Sequence, residues 1–271
     1  MERQGHSAPH RENIAMTLHP RPLLRLAAAV LTASALTATE TDERIVTAAQ
    51  GTYNFKTYLK GDQIMVISRN GAVTLTGKVQ DVFHRDLAAE TLAGLPGVKS
   101  VNNQLSLVGE PSVIGPDAKL RARVQAALLL HRGLSGIGAK VLVKEGQVTL
   151  QGEAHSAVQK VLATEYVKGL DGVAGVSNEM TVAKGPHPKR KAIRKKIDDA
   201  SVTAQVKLAL LFNRSTSAIH TKVRTDNGVV TLAGTAGSQA EKDLVTRIVG
   251  NLEGIQKVRN RMTVGNILHT P

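Results

Sequence analysis

Residues 71–77 read GAVTLTG, residues 146–152 read GQVTLQG and residues 228–234 read GVVTLAG. In each block the apolar residues alternate with threonine, so Val148 and Leu150 face one way and Thr149 the other. A period of two marks a strand with one buried face. The dipeptides Asn70-Gly71, Glu145-Gly146 and Asn227-Gly228 precede the strands. All are turn-like, and Asn-Gly is the strongest short hairpin signal. The runs 64–68 and 139–143 therefore read as antiparallel partners of the VTL strand. The repeated block is architectural, a middle strand with turn glycines at its ends.

The repetition extends outward in register. Twenty residues beyond Gly77, Gly152 and Gly234 stand Gly97, Gly172 and Gly254. At common offsets follow Val101, Val176 and Val258, then Asn103, Asn178 and Asn260. Between the paired glycines Leu244, Ile248 and Leu252 recur every fourth residue, as do Leu162, Tyr166 and Leu170. That spacing makes one face of a helix. Asp81, Ser156 and Ser238 are suited to cap these helices, and the glycine after each suits a left-handed helix end. A third strand is expected over 101–107, 176–182 and 258–264.

A further helix precedes each hairpin. Its apolar face is Leu120, Val124, Ala127 and Leu128 in the second copy and Val202, Val206, Ala209 and Leu210 in the third. In the first copy only Ile45 and Ala49 mark it, and Gly51 interrupts the pattern. That helix is expected to be short or frayed.

Each copy is thus α-β-β-α-β. A strand–helix–strand connection favours a right-handed crossover to a parallel neighbour, and the hairpin adds an antiparallel partner. The fold class is α+β: three tandem modules, each a three-stranded mixed sheet with two helices on one face. The expected boundaries are 1–38 for an N-terminal extension and signal peptide, then modules at 41–108, 117–182 and 198–264, with a basic linker at 183–197.

Asn103, Asn178 and Asn260 share strand parity with apolar neighbours. A buried amide without partners costs about 1–3 kcal/mol. These amides are expected to bond nearby backbone, at a bulge, with a ligand role as the alternative. Together with Gly77, Gly97, Gly152, Gly172, Gly234 and Gly254 they form the structural signature of the repeat.

The unit, with V-T-L-x-G followed by G-V-x-x-V-x-N, resembles the BON domain (bacterial OsmY and nodulation). The resemblance covers nearly all of the chain beyond the N-terminal extension. It implies an envelope protein, often exported to the periplasm and linked to osmotic stress and phospholipid membranes. In some members it implies chaperone-like activity. It implies no catalytic residues.

Composition agrees with a surface-binding role. The 271 residues carry a net charge of +13, which favours polyanionic neighbours. There is no cysteine, which excludes disulfides, thiolate nucleophiles and Cys-ligated zinc. With no Trp, three Phe and three Tyr, the cores must be aliphatic. Arg21 and Arg25 flank the uncharged stretch 26–36, and Ala33-Ser34-Ala35 and Ala38 offer small-residue cut points. This is the layout of a signal peptide, with Met16 as an alternative start. The run is shorter than the roughly 20 residues of a membrane-spanning helix. A periplasmic location is therefore expected, with the cytoplasm as the alternative.

The linker carries Lys184, Lys189, Arg190, Lys191, Arg194, Lys195 and Lys196 without an acidic residue among them. Each Lys or Arg near an anionic bilayer contributes about 1 kcal/mol. The run is a candidate contact for phospholipid or another anionic envelope partner. Its alternatives are a solvated spacer and a nucleic-acid contact. Few aromatics argue against a base-stacking platform.

No catalytic or metal site is expected. The histidines His6, His10, His19, His84, His131, His155, His187, His220 and His269 neither recur between copies nor adopt metal-ligand spacing, and are read as surface residues. Gly71 to Lys78 lacks phosphate-loop spacing, and residues 133–138, GLSGIG, match no nucleophile or dinucleotide motif. No cofactor is implied.

Overall fold

The computed structural model describes residues 40–109, 115–183, 196–216 and 221–265. The first module has a helix over residues 40–51 (α1), α2 (Tyr53–Thr57), β1 (Gln63–Arg69), β2 (Ala72–Val79), α3 (Val82–Ala93) and β3 (Ser100–Leu107). The second has α4 (Pro116–Leu130), β4 (Lys140–Lys144), β5 (Gln147–Gln151), β6 (Glu153–Ala154), α5 (Ala157–Lys168), β7 (Gly175–Asn178) and β8 (Thr181–Val182). The third has α6 (Asp199–Phe212), β9 (Thr221–Asp226), β10 (Val229–Ala236), α7 (Gln239–Gly250), β11 (Lys257–Asn260) and β12 (Thr263–Val264).

Every module places the VTL strand in the middle. β2 runs antiparallel to β1 and parallel to β3, β5 does the same between β4 and β7, and β10 between β9 and β11. The register is common to all three. Leu75 lies opposite Val66 and Asn103, Leu150 opposite Val141 and Asn178, and Leu232 opposite Val223 and Asn260. The period-two reading holds: Val73, Leu75, Val148, Leu150, Val230 and Leu232 are buried, and the threonines between them are not.

The terminal glycine of the motif is required by close strand approach. Gly77 and Gly152 have φ of 119° and 118°. A Cβ on Gly77 would stand 1.8 Å from the Gln63 carbonyl oxygen, and one on Gly152 2.4 Å from that of Gly138. Neither backbone could accept it without moving the hairpin.

Asp81, Ser156 and Ser238 cap α3, α5 and α7, each accepting a backbone N–H three residues on. The left-handed glycines lie elsewhere than expected. The helices end at Gly94, Gly169 and Asn251 with negative φ. Gly97, Gly172 and Gly254 take positive φ three residues later, in the turn into the third strand. The first helix also departs from expectation. It runs through Gly51, breaks at Thr52 and restarts as α2. Thr52 Oγ1 donates to the Ala49 carbonyl at 2.7 Å and accepts from Phe55 N–H at 3.4 Å. The helix is broken and recapped there, not frayed.

The helical faces of the three modules meet in one apolar cluster running from Ile45 to Met262. α6 lies at its centre, packed against β9 of its own module and against α3, α4 and α7. Nine of its 14 residues are buried, as befits a helix surrounded on most sides. The opposite faces of the sheets stay at the surface, where Met65, Ile67 and Leu142 are exposed.

Candidate functional site

The repeated polar residues hold the modules together from within. Asn178 Nδ2 donates to the Lys160 carbonyl and Thr164 Oγ1, and its Oδ1 accepts from Met180 N–H at 3.0 Å. Asn260 repeats this with Lys242, Thr246 and Met262. The strand breaks between β7 and β8, and between β11 and β12, lie at these amides. Asn103 donates to the Arg85 carbonyl and accepts from Leu105 N–H. At the place of the threonine stands Ala89, and β3 is continuous. The asparagine thus ties the third strand to the second helix.

Three aspartates do the same for the hairpin. Asp117 accepts Glu145 N–H at 2.7 Å and Gly146 N–H at 3.1 Å. Asp199 accepts those of Asn227 and Gly228, and Asp42 those of Asn70 and Gly71. Both turn residues have positive φ, from 49° to 82°, so two adjacent N–H groups converge on one carboxylate. Bonds from Ser68 and the Gly71 backbone hold the Asp42 carboxyl below its ordinary range. The sequence reading missed these aspartates. Their signal was available, because each precedes its turn glycine by 29 residues.

The modules join in two ways. Between the second and third the contact is reciprocal. Arg132 N–H donates to the Asn251 carbonyl, and its guanidinium to the carbonyls of Leu252 and Ile255. Arg214 N–H donates to the Gly169 carbonyl, and its guanidinium to those of Lys168, Leu170 and Val173. His131 bridges Leu252, and Asn213 bridges Leu170. Equivalent residues therefore exchange equivalent bonds about a local two-fold. His131 Nδ1 accepts from Gly133 N–H at 3.1 Å, as Asn213 Oδ1 accepts from Ser215 N–H at 2.9 Å. His131 is buried against Tyr166. Burial, and then the Arg132 charge, hold its pKa below the ordinary value. The surface reading of this histidine is therefore corrected. His84 is also engaged, its Nδ1 lying 2.6 Å from Asp62 Oδ2.

The first module docks differently. Tyr53 N–H donates to Asp198 Oδ2, and Asn54 N–H to Ser201 Oγ. Buried Asn54 Nδ2 donates to Thr91 Oγ1 and the Ser201 carbonyl, and Gln205 Nε2 donates to Asn54 Oδ1. Lys207–Glu90 at 2.8 Å and the edge-on pair Phe83–Phe212 complete this contact. A cavity of 240 Å³ between the first two modules is lined largely by apolar side chains, among them Phe83, Leu128, Leu134 and Ile137, with His84 on its wall.

Of the expected anionic-contact residues, Lys196 is exposed, two residues ahead of Asp198, the cap of α6. Lys184, Lys189, Arg190, Lys191, Arg194 and Lys195 lie outside the described residues, as does the expected signal segment. Among the described residues no group of three or more His, Asp or Glu could hold a metal ion, and no helix is long and apolar enough to cross a membrane. The sequence reading also passed over the outward face of the third sheet. Lys222 and Arg224 on β9 and Lys257 and Arg259 on β11 flank Thr231 of β10, all four exposed.

The repeat, its register and its internal ties define a tandem array of small α+β domains. The BON domain model matches residues 41–109, 116–184 and 198–266, and the chain belongs to the BON family. It is 32% identical over 144 residues to "Osmotically-inducible protein Y" of Escherichia coli (strain K12), covering 53% of this chain and 70% of the relative. It is 33% identical over 113 residues to "Outer membrane lipoprotein DolP" of Haemophilus influenzae, covering 42% of this chain and 55% of the relative. It is 30% identical over 118 residues to the "21 kDa hemolysin" of Actinobacillus pleuropneumoniae, covering 44% and 58%.

Proposed function

We propose that this chain is a non-catalytic, exported envelope protein that binds anionic phospholipid surfaces or envelope partners during osmotic or envelope stress. The observation that carries the reading is how the repeated polar groups are used. The aspartates and asparagines common to the modules bond backbone within their own module. Function is thereby left to the exterior of a chain with a net charge of +13, which draws it to anionic surfaces. Support comes from a relative named for osmotic induction and another named as an outer membrane lipoprotein.

The linker cations, Lys184 to Lys196, are the first contact in this reading. The full chain should sediment with vesicles of phosphatidylglycerol and phosphatidylcholine and be released by salt, since exposed charges are screened over about 10 Å at 0.1 M. Changing the seven cations to glutamine should weaken sedimentation at least tenfold, given about 1 kcal/mol for each. Undiminished binding would remove the linker from the proposal.

A second reading, a chaperone-like interaction module, is favoured by the apolar face of α5. Val158 is 77% exposed and Val161 61%. Such a face predicts suppression of client aggregation that is insensitive to linker charge. Nucleic-acid binding is the third reading and requires a cytoplasmic location.

A further inference from the structure

We infer that the outward face of the third module's sheet is a second, independent docking face for the phosphate headgroups of an anionic membrane. This rests on the membrane reading above and assigns it a site in the folded domain.

The face is built by register. Inward Val230 and Leu232 are buried, so Val229, Thr231 and Ala233 point out. Across from Thr231 lie Arg224 on one side and Arg259 on the other. Lys222 lies opposite Ala233, and Lys257 opposite Val229. Neighbouring strands are about 4.8 Å apart, so the two arginines are separated by about 10 Å. Each can take its own phosphate, with the paired N–H geometry that suits guanidinium to phosphate. None of the four is in an ion pair among the described residues. Asp226 is the one acidic residue of the outward row on these three strands, and it bonds Asn227.

The other modules do not share this arrangement. On the first sheet the corresponding row of β1 presents Met65 and Ile67, and β3 presents Asn102 and Gln104. On the second sheet Lys140 and Lys144 flank Leu142, while Ser177 stands on β7. Position 259 is thus serine in module two and asparagine in module one by register. The third face is the one with cations on both sides of the central strand. It is a sheet surface of short outward residues, Thr231 and Ala233, rimmed by long basic ones. That shape suits a plane of phosphates better than a groove-bound chain. No aromatic side chain stands on it to stack a base.

The test is co-sedimentation of the full chain with phosphatidylglycerol–phosphatidylcholine vesicles. Lys222, Arg224, Lys257 and Arg259 are changed together to glutamine. The control changes four cations on the other two sheets, Arg69, Lys78, Lys140 and Lys144, to glutamine. The third-face variant should lose at least tenfold in partitioning, and the control about twofold or less. Equal losses would mean that bulk charge alone acts, and an unchanged third-face variant would place the contact elsewhere. Either overturns the site while leaving the membrane reading intact. If the unaltered chain fails to bind the vesicles, the membrane reading falls and takes the site with it. Stronger retention of a single-stranded oligonucleotide than of vesicles would overturn the lipid assignment. Melting curves establish that the variants fold; should the fourfold variant fail, Arg224→Gln with Arg259→Gln serves the same comparison.

Discussion

Modules two and three share a junction, while module one is attached to module three by other means. The first contact is symmetric: Arg132 and Arg214 each carry bonds from one module's first helix end to the backbone beyond the other's second helix. The second contact is one-sided and built around a buried asparagine, Asn54, that has no counterpart in the reciprocal junction. At the position of the two arginines module one has Thr57. The difference teaches that one fold, copied three times, need not be joined three times in the same way. A repeated interface requires the repeat of its few polar anchors, and module one lacks them.

The largest effect should come from breaking the reciprocal junction. Arg132→Ala with Arg214→Ala removes charge-assisted bonds to five backbone carbonyls. Bonds to charged groups contribute about 1.5–3 kcal/mol each when sheltered. Both arginines are largely exposed, so a loss of about 2–4 kcal/mol for the pair is expected. Chemical denaturation of the single and double variants should also show non-additivity, because both sites belong to one interface. Strict additivity would mean that the two halves act separately.

A smaller loss, about 1–3 kcal/mol, is expected from Asn54→Ala, which strands the buried Gln205 side-chain N–H. Limited proteolysis should then release module one and leave the paired modules protected. Cleavage within the pair at the same rate would contradict the two-mode arrangement.

The smallest effect should be a pH dependence. Burial lowers the His131 pKa from 6.5, so the unfolded chain takes up the proton first as pH falls. The stabilisation is complete above 6.5 and is lost as pH drops from there through the folded value. Protonation would also turn the Nδ1 acceptor of Gly133 N–H into a donor. The groups around the ring are Arg132 and Tyr166. His131→Asn imports the residue that module three uses at this position. The wild-type midpoint should fall more steeply than the variant's between pH 7.5 and about 5.5; parallel curves would show that His131 does not couple to folding.

Much of the module was legible in the sequence. Strand alternation around Thr74, Thr149 and Thr231, the turn dipeptides and the caps Asp81, Ser156 and Ser238 are local signals, fixed by chain periodicity and side-chain reach. The three aspartates were equally recoverable, since their offset from the turn is constant. The break at Thr52 was harder to read, because a glycine within a helix lowers stability without stating where the chain will bend. The basic sheet face also escaped notice. Its four cations are scattered between residues 222 and 259 and become neighbours only through the register of three strands.

The sequence by itself determined the repeated module: its element order, its inward strand face and its count of three, because each depends on contacts within about 70 residues of a pattern written three times. The tertiary structure alone decided how the modules meet. α6 shows the reason. Its sequence marks Val202, Val206, Ala209 and Leu210 as a core stripe, yet Ser201, Ala204, Gln205 and Leu208 are buried as well. Small and polar residues reveal no periodic burial in a linear pattern. They become interior only when a neighbouring module packs over them and excludes water, with Asn54 bonding Ser201 Oγ and Gln205 Nε2 across the contact.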